Sequence, residues 1–118
     1  MKILSKDDCF QLMCDMQMPE HIVVHSIQVC RVAACLTTYL ESEGMQLNGH
    51  LVQAAALLHD ITKNRSFETA ENHALTGGQT LTELGYPKIG NLVRQHVRLD
   101  DYSDPYNLSE AVIVNYAD

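Results

Sequence analysis

The stretch from Leu51 to Leu58 is apolar at every position except Gln53, and it is closed by His59 and Asp60. Apolarity on all sides marks a central buried helix rather than a surface one. A carboxylate at the end of such a helix is costly unless it is paired or bound to a metal. The chain must therefore bring partners to Asp60. Helical spacing predicts which ones, because positions three, four and seven apart share a face. His25 falls in line with Ile22, Val29, Val32 and Leu36, and His59 with Val52 and Ala55. His96 follows Ile89, Leu92 and Val93, and Asp118 follows Ala111 and Val114. His73 has a smaller stripe of Thr76, Gly77, Thr80 and Leu81. Four histidines and two carboxylates on inward faces describe a metal site.

No segment alternates as a strand would, so the expected fold is all-α, a bundle of about six helices in a single domain over residues 1–118. The first helix is predicted from Ser5, a good N-cap, to Met16, with Asp7 and Asp8 in the favourable first turn. The second runs from Pro19, as first helical residue, to Glu43, where Gly44 stops it. Asn48 caps the third, which continues to His59 and Asp60. A fourth spans Ala70 to Leu84 and ends at Gly85, and a fifth spans Pro87 to Val97. After an acidic linker, Asn107 or Ser109 caps the last helix, and the chain stops at Asp118 without a stop signal, as a C-terminally truncated domain would.

A chain of 118 residues can bury enough surface to fold without staples. Its four cysteines form no C-x-x-C pair and are expected to be free thiols. The N-terminus has no apolar signal region and no uninterrupted apolar stretch approaches a membrane span, so the expected setting is cytoplasmic, with no membrane partner. A net charge of −7 argues against a general nucleic-acid surface, which needs clustered Lys and Arg. A small anion held by metal remains compatible.

Histidine and carboxylate without thiolate favour a catalytic divalent ion over a cysteine-rich structural zinc. Iron or manganese is the expected metal, with cobalt, nickel, zinc or magnesium also suited to such ligands. Six protein ligands exceed what one reactive ion needs, so the natural distribution is two ions bridged by Asp60. His25, His59 and Asp118 would hold the first, and His73 and His96 the second. Two ions close together can generate a hydroxide and clamp both oxygens of a phosphoryl transfer. His21 and His50, near helix starts, are expected at the surface. Gly77 and Gly78 inside a helical pattern predict a close approach, and they lack the Lys-Ser/Thr ending of a phosphate loop.

The run Leu57 to Lys63, which reads LLHDITK, preceded by His25-Ser26-x-x-Val29 and followed by Asp118 at a helix end, resembles the HD superfamily of metal-dependent phosphohydrolases of the HDIG type. The resemblance spans almost the whole chain. Glu71-x-His73-x-x-x-Gly77 and His96 are similar to the subset that binds two metals, which includes symmetrical dinucleoside-tetraphosphate hydrolases. It implies a hydrolase that cleaves a phosphoester or phosphoanhydride of a nucleotide-like small molecule through a metal-bound hydroxide. Asp60 and Lys63 would be the catalytic residues, and Lys63 would contact substrate phosphate, with Arg65 assisting. Arg94 and Arg98 could also assist, and Tyr102 and Tyr106 either stack on a base or anchor the linker. Members usually continue past the final Asp for another helix or two. Some relatives with two iron atoms are oxygenases, and a non-catalytic signalling or scaffold domain is the remaining alternative.

Overall fold

The computed structural model describes residues 4–63, 69–99 and 109–118. Among them are six helices and no strand: α1 Lys6–Asp15, α2 Glu20–Ser42, α3 Gly49–Leu58, α4 His73–Glu83, α5 Pro87–Arg94 and α6 Glu110–Ala117. Arg65, Tyr102, Tyr106 and Asn107 lie outside the described residues.

Local chemistry sets most helix ends. The Ser5 hydroxyl accepts from the Asp8 backbone N–H while the Ser5 N–H donates to the Asp8 carboxylate, a reciprocal box that starts α1. Asn48, Asn72 and Ser109 cap α3, α4 and α6 through their side-chain oxygens. Gly44 and Gly85 take left-handed φ values of 95° and 100°. They let Met45 and Tyr86 reach back to the carbonyls of Leu40 and Leu81, closing α2 and α4.

Several boundaries differ from the sequence expectation. Pro19 caps α2 in an extended conformation and is not its first helical residue. α4 begins at His73, since the Asn72 side chain takes the first amides and Ala70 has φ of 58°. α3 ends at Leu58 and α5 at Arg94, so His59 and His96 both lie just past a helix C-terminus.

α3 is the hub. Val52 and Ala54 to Leu58 are all buried, and α1, α2, α5 and α6 pack around them. α4 is held mainly through α5, and the two helices nearly touch at Gly78 and Gly90. A Cβ on Gly78 would stand 2.7 Å from the Gly90 carbonyl oxygen, which explains glycine there despite its helix cost. α2 is long and apolar enough to cross a membrane by length and composition. Its inward face of Ile22, Ser26, Val29, Cys30, Ala33 and Thr37 is buried where it packs on α3 and α6.

Candidate metal centre

Where α3 ends, the chain turns through His59, Asp60, Ile61 and Thr62, all buried. The Lys63 N–H closes that turn by donating to the Asp60 carbonyl at 3.0 Å. Four other site residues converge on it from four elements. His25 comes from the first half of α2, His73 is the first residue of α4, His96 follows α5, and Asp118 follows α6. Lys63 comes from the turn itself.

The two oxygens of Asp60 face different partners. Oδ2 is 3.2 Å from His59 Nε2, 3.8 Å from His25 Nε2 and 3.8 Å from Lys63 Nζ. Oδ1 is 3.3 Å from His73 Nε2 and 3.6 Å from His96 Nε2. Asp118 Oδ1 joins the first group, 2.8 Å from His25 Nε2 and 3.2 Å from His59 Nε2. The second group closes on itself, with 3.2 Å between the Nε2 atoms of His73 and His96. Two clusters, His25/His59/Asp60 and Asp60/His73/His96, could each hold a metal ion.

His59 and His96 are oriented by one device. Each Nδ1 lies 2.6 Å from the carbonyl oxygen three residues back, Ala56 for His59 and Val93 for His96. A carbonyl only accepts, so Nδ1 carries a proton and Nε2 is the ring atom turned to the site, its lone pair the one a cation there would take up. In His59 that nitrogen is fully buried, sits 3.2 Å from two carboxylate oxygens and is hydrogen-bonded to neither. A lone pair facing two anions needs a cation between them, either a proton or a metal. This donor set of imidazole nitrogens and carboxylate oxygens fits a divalent ion.

The proton side of that competition shows in the acidities. Burial opposes a charge on His59, but Asp118 and Asp60 together outweigh it and push the imidazole up to about 9. Burial also works against an ionised Asp60, yet His59, His96 and Lys63 hold its carboxyl well below the usual range. His59 beside Asp118 lowers that carboxyl to about 2. Burial lowers His73, only partly offset by Asp60. The thiols play no part: all four are free, and burial pushes Cys9 up to about 12.

The site has a buried floor and an open rim. The side chains of His59, His96 and Asp60 are 0%, 0% and 3% exposed, against 44% for His25, 37% for Lys63, 26% for Asp118 and 24% for His73. His25 thus stands at the edge of the buried stripe of α2, not within it as its spacing suggested. His21 and His50 are exposed. Arg94 and Arg98 line a cleft of about 680 Å³ with Leu75, Val97 and Leu99, flanking the segments that carry His73 and His96.

Two residues that the sequence reading did not single out support the centre. The Thr62 hydroxyl donates to the His73 carbonyl at 2.9 Å. The Asn115 amide donates to the carbonyls of His96, at 2.9 Å, and Gln95, at 3.4 Å, tying α6 to the segment after α5. The available signal was position alone: Thr62 two residues after Asp60, and Asn115 one helical turn before Asp118.

The HD-domain family model matches residues 22–118. Ribonuclease Y of Petrotoga mobilis is 32% identical over 100 residues, 84% of this chain and 18% of that protein. Uncharacterized protein MJ0778 of Methanocaldococcus jannaschii is 29% identical over 79 residues, 66% of this chain and 46% of that protein. The chain thus spans less than half the length of either relative. No solved structure matches it. With the family match reaching from α2 to Asp118 and taking in every histidine and carboxylate of the cluster, the chain belongs to the HD-domain family, a superfamily of metal-dependent phosphohydrolases.

Proposed function

We propose that this domain is a phosphohydrolase using two divalent ions, iron or manganese, bridged by Asp60. The carrying observation is the division of that carboxylate, with Oδ2 toward His25 and His59 and Oδ1 toward His73 and His96. Asp118 completes the first set. When bound, such ions would activate water for attack on phosphorus and neutralise charge on phosphate oxygens.

The chain's own residues divide the remaining work. Through their carbonyl anchors His59 and His96 turn Nε2 toward the site, the ring atom that would bind an ion. Asp60 and Asp118 supply negative charge in a setting that keeps them ionised. Lys63, at the open rim, is placed to meet substrate phosphate and to stabilise the charge that develops on it. A small phosphorylated substrate of nucleotide type suits this rim on a chain of net charge −7.

A second reading has a specific warrant. The similarity to a protein named as a ribonuclease covers most of this chain, which favours an RNA phosphodiester as an alternative substrate. Elemental analysis of protein purified without chelator, followed by a phosphatase screen with added Mn, Fe or Co, tests both. The screen includes nucleotides, dinucleoside polyphosphates, cyclic dinucleotides and an RNA oligonucleotide. Phosphate release from the small substrates with two ions per chain supports the first reading, and cleavage of RNA alone replaces it with the second. Iron with oxygen consumption and no phosphate release would point to an oxygenase and overturn both.

A further inference from the structure

The four histidines of the centre are not held alike. His59 and His96 lie just past helix C-termini, where the last carbonyls have no intrahelical partner and are available to a ring N–H. His25 is carried within the body of α2. His73 is the first residue of α4. At a helix N-terminus the residue three back lies outside the helix, here Ala70 with φ of 58°, so the carbonyl device is not open to it. Among the described residues no hydrogen bond to His73 Nδ1 is formed. Beyond its Nε2 contacts with His96 and Asp60, the ring is placed through its backbone.

The backbone of His73 is held by Thr62. This hydroxyl is buried, with 1% of the residue exposed, and lies 2.9 Å from the His73 carbonyl oxygen. The carbonyl can only accept, so Thr62 is the donor of that bond, while the single proton of Thr76 Oγ1, also 2.9 Å away, is shared between the Thr62 oxygen and the Asn72 carbonyl at 3.2 Å. A buried hydroxyl is costly unless bonded, which makes this contact an orienting constraint. Thr62 belongs to the same tight turn as Asp60, so the bond ties His73 to the carboxylate whose Oδ1 it faces at 3.3 Å. Gly77 eases the packing of α4 on Val93, whose Cγ1 a Cβ there would meet at 3.2 Å, while its approach to Thr62 Oγ1 at 3.5 Å would be ordinary contact.

We propose that Thr62 is the positioning residue of the second ion: through the His73 carbonyl it sets the place of His73 Nε2 against Asp60 Oδ1. This rests on the two-ion reading. The isosteric Thr62→Val keeps the shape and deletes the donor, whereas Thr62→Ser keeps the donor, so the pair separates hydrogen bonding from packing.

The test is titration of the full chain and both variants with Co2+, read by the visible absorption of the bound ion and by bound metal per chain. In Thr62→Val the second ion should bind roughly 10- to 100-fold more weakly, the usual loss for a residue that orients a ligand, while the first keeps its affinity. Thr62→Ser should return the second affinity to within a few-fold of the original. Equal second-ion affinity in Thr62→Val overturns the proposal, and so does parallel weakening of both ions, which would mean general loosening. If the unmodified chain takes up only one ion at saturation, the two-ion reading fails and the proposal with it. That result is distinct from two ions indifferent to Thr62. Should Thr62→Val not fold, Thr62→Cys, a weaker donor of similar size, makes the same comparison against Thr62→Ser.

Discussion

The two halves of the centre share Asp60 but are built in opposite ways. The His25/His59/Asp118 half is open, gathered from the body of α2, the end of α3 and the end of α6, and its rim residues are a quarter to nearly half exposed. The His73/His96 half is the more enclosed of the two, with His73 24% and His96 0% exposed, and its geometry rests on the packing of α4 against α5 and on the hydroxyl of Thr62. An open half can exchange a lost ligand for water, whereas an enclosed half depends on its walls. On the two-ion function proposed above, the difference would make the first half the natural side for substrate and the second the more sensitive to distant packing.

The strongest way to break this picture is Asp60→Ala, which removes the one residue common to both halves. Both ions should be lost, with affinity falling more than about 100-fold, beyond the usual cost of a supporting residue. Elemental analysis that found two ions retained would end the bridging assignment.

Next in size, His96→Ala should empty only the enclosed half, taking bound metal from about two ions per chain toward one. His25→Ala should weaken the open half less, by roughly 10-fold, because solvent reaches that position and water can take the place of the ring. Equal losses in the two variants, measured by metal titration, would erase the contrast between the halves.

Gly78→Ala tests whether packing distant from the ligands controls the enclosed half. The added methyl meets backbone at 2.7 Å and cannot simply move aside. Overpacking of this kind costs about 1–3 kcal/mol, against a gain of roughly 1 kcal/mol in helix propensity. Denaturant unfolding should show net destabilisation, and metal titration should show the second ion weakened more than the first.

Lys63→Ala should leave both ions bound, since a protonated amine is no ligand. If the ammonium strengthens its hold on phosphate in the transition state, kcat and kcat/KM should fall together by about tenfold for each 1.4 kcal/mol lost. A change in KM alone would reduce Lys63 to recruiting the anion.

The smallest effect is a proton. The raised pKa of His59, about 9 against an ordinary 6.5, has a definite sign. In metal-depleted protein it adds stability that is fully present below pH 6.5 and is lost as pH rises through about 9. Metal needs the neutral ring, so its affinity should rise over that same window, and binding at pH 7 should release about one proton per chain from the open half. Calorimetry in buffers of different ionisation enthalpy measures this directly, and heats independent of buffer would show His59 already neutral.

How much of this was legible beforehand depends on the residue. Ser5, Asn48, Ser109, Gly44 and Gly85 act within a few positions of themselves, so their capping roles could be read along the chain. The periodicity around His59 and His96 located the right segments but put the residues inside helices. Their true positions are past the ends, because chain spacing registers a face and is nearly blind to where the last intrahelical bond is made. The same spacing placed His25 on the buried stripe, while packing against α3 and α6 centred that stripe on Ser26 and Ala33 and left His25 at its edge.

Residue types and local hydrogen bonding, all present in the sequence, determined that this chain is helical, where α1, α3 and α6 start, and that an imidazole and a carboxylate would be buried together at the end of α3. Tertiary structure alone decided which oxygen of Asp60 faces which histidines, that Thr62 reaches His73 across 11 residues, and that Asn115 joins α6 to the segment bearing His96. The physical reason is range: a cap or a turn is settled within one helical turn of chain. The direction of a carboxylate oxygen, by contrast, is set by how the four segments carrying His25, His73, His96 and Asp118 come together at the end of α3.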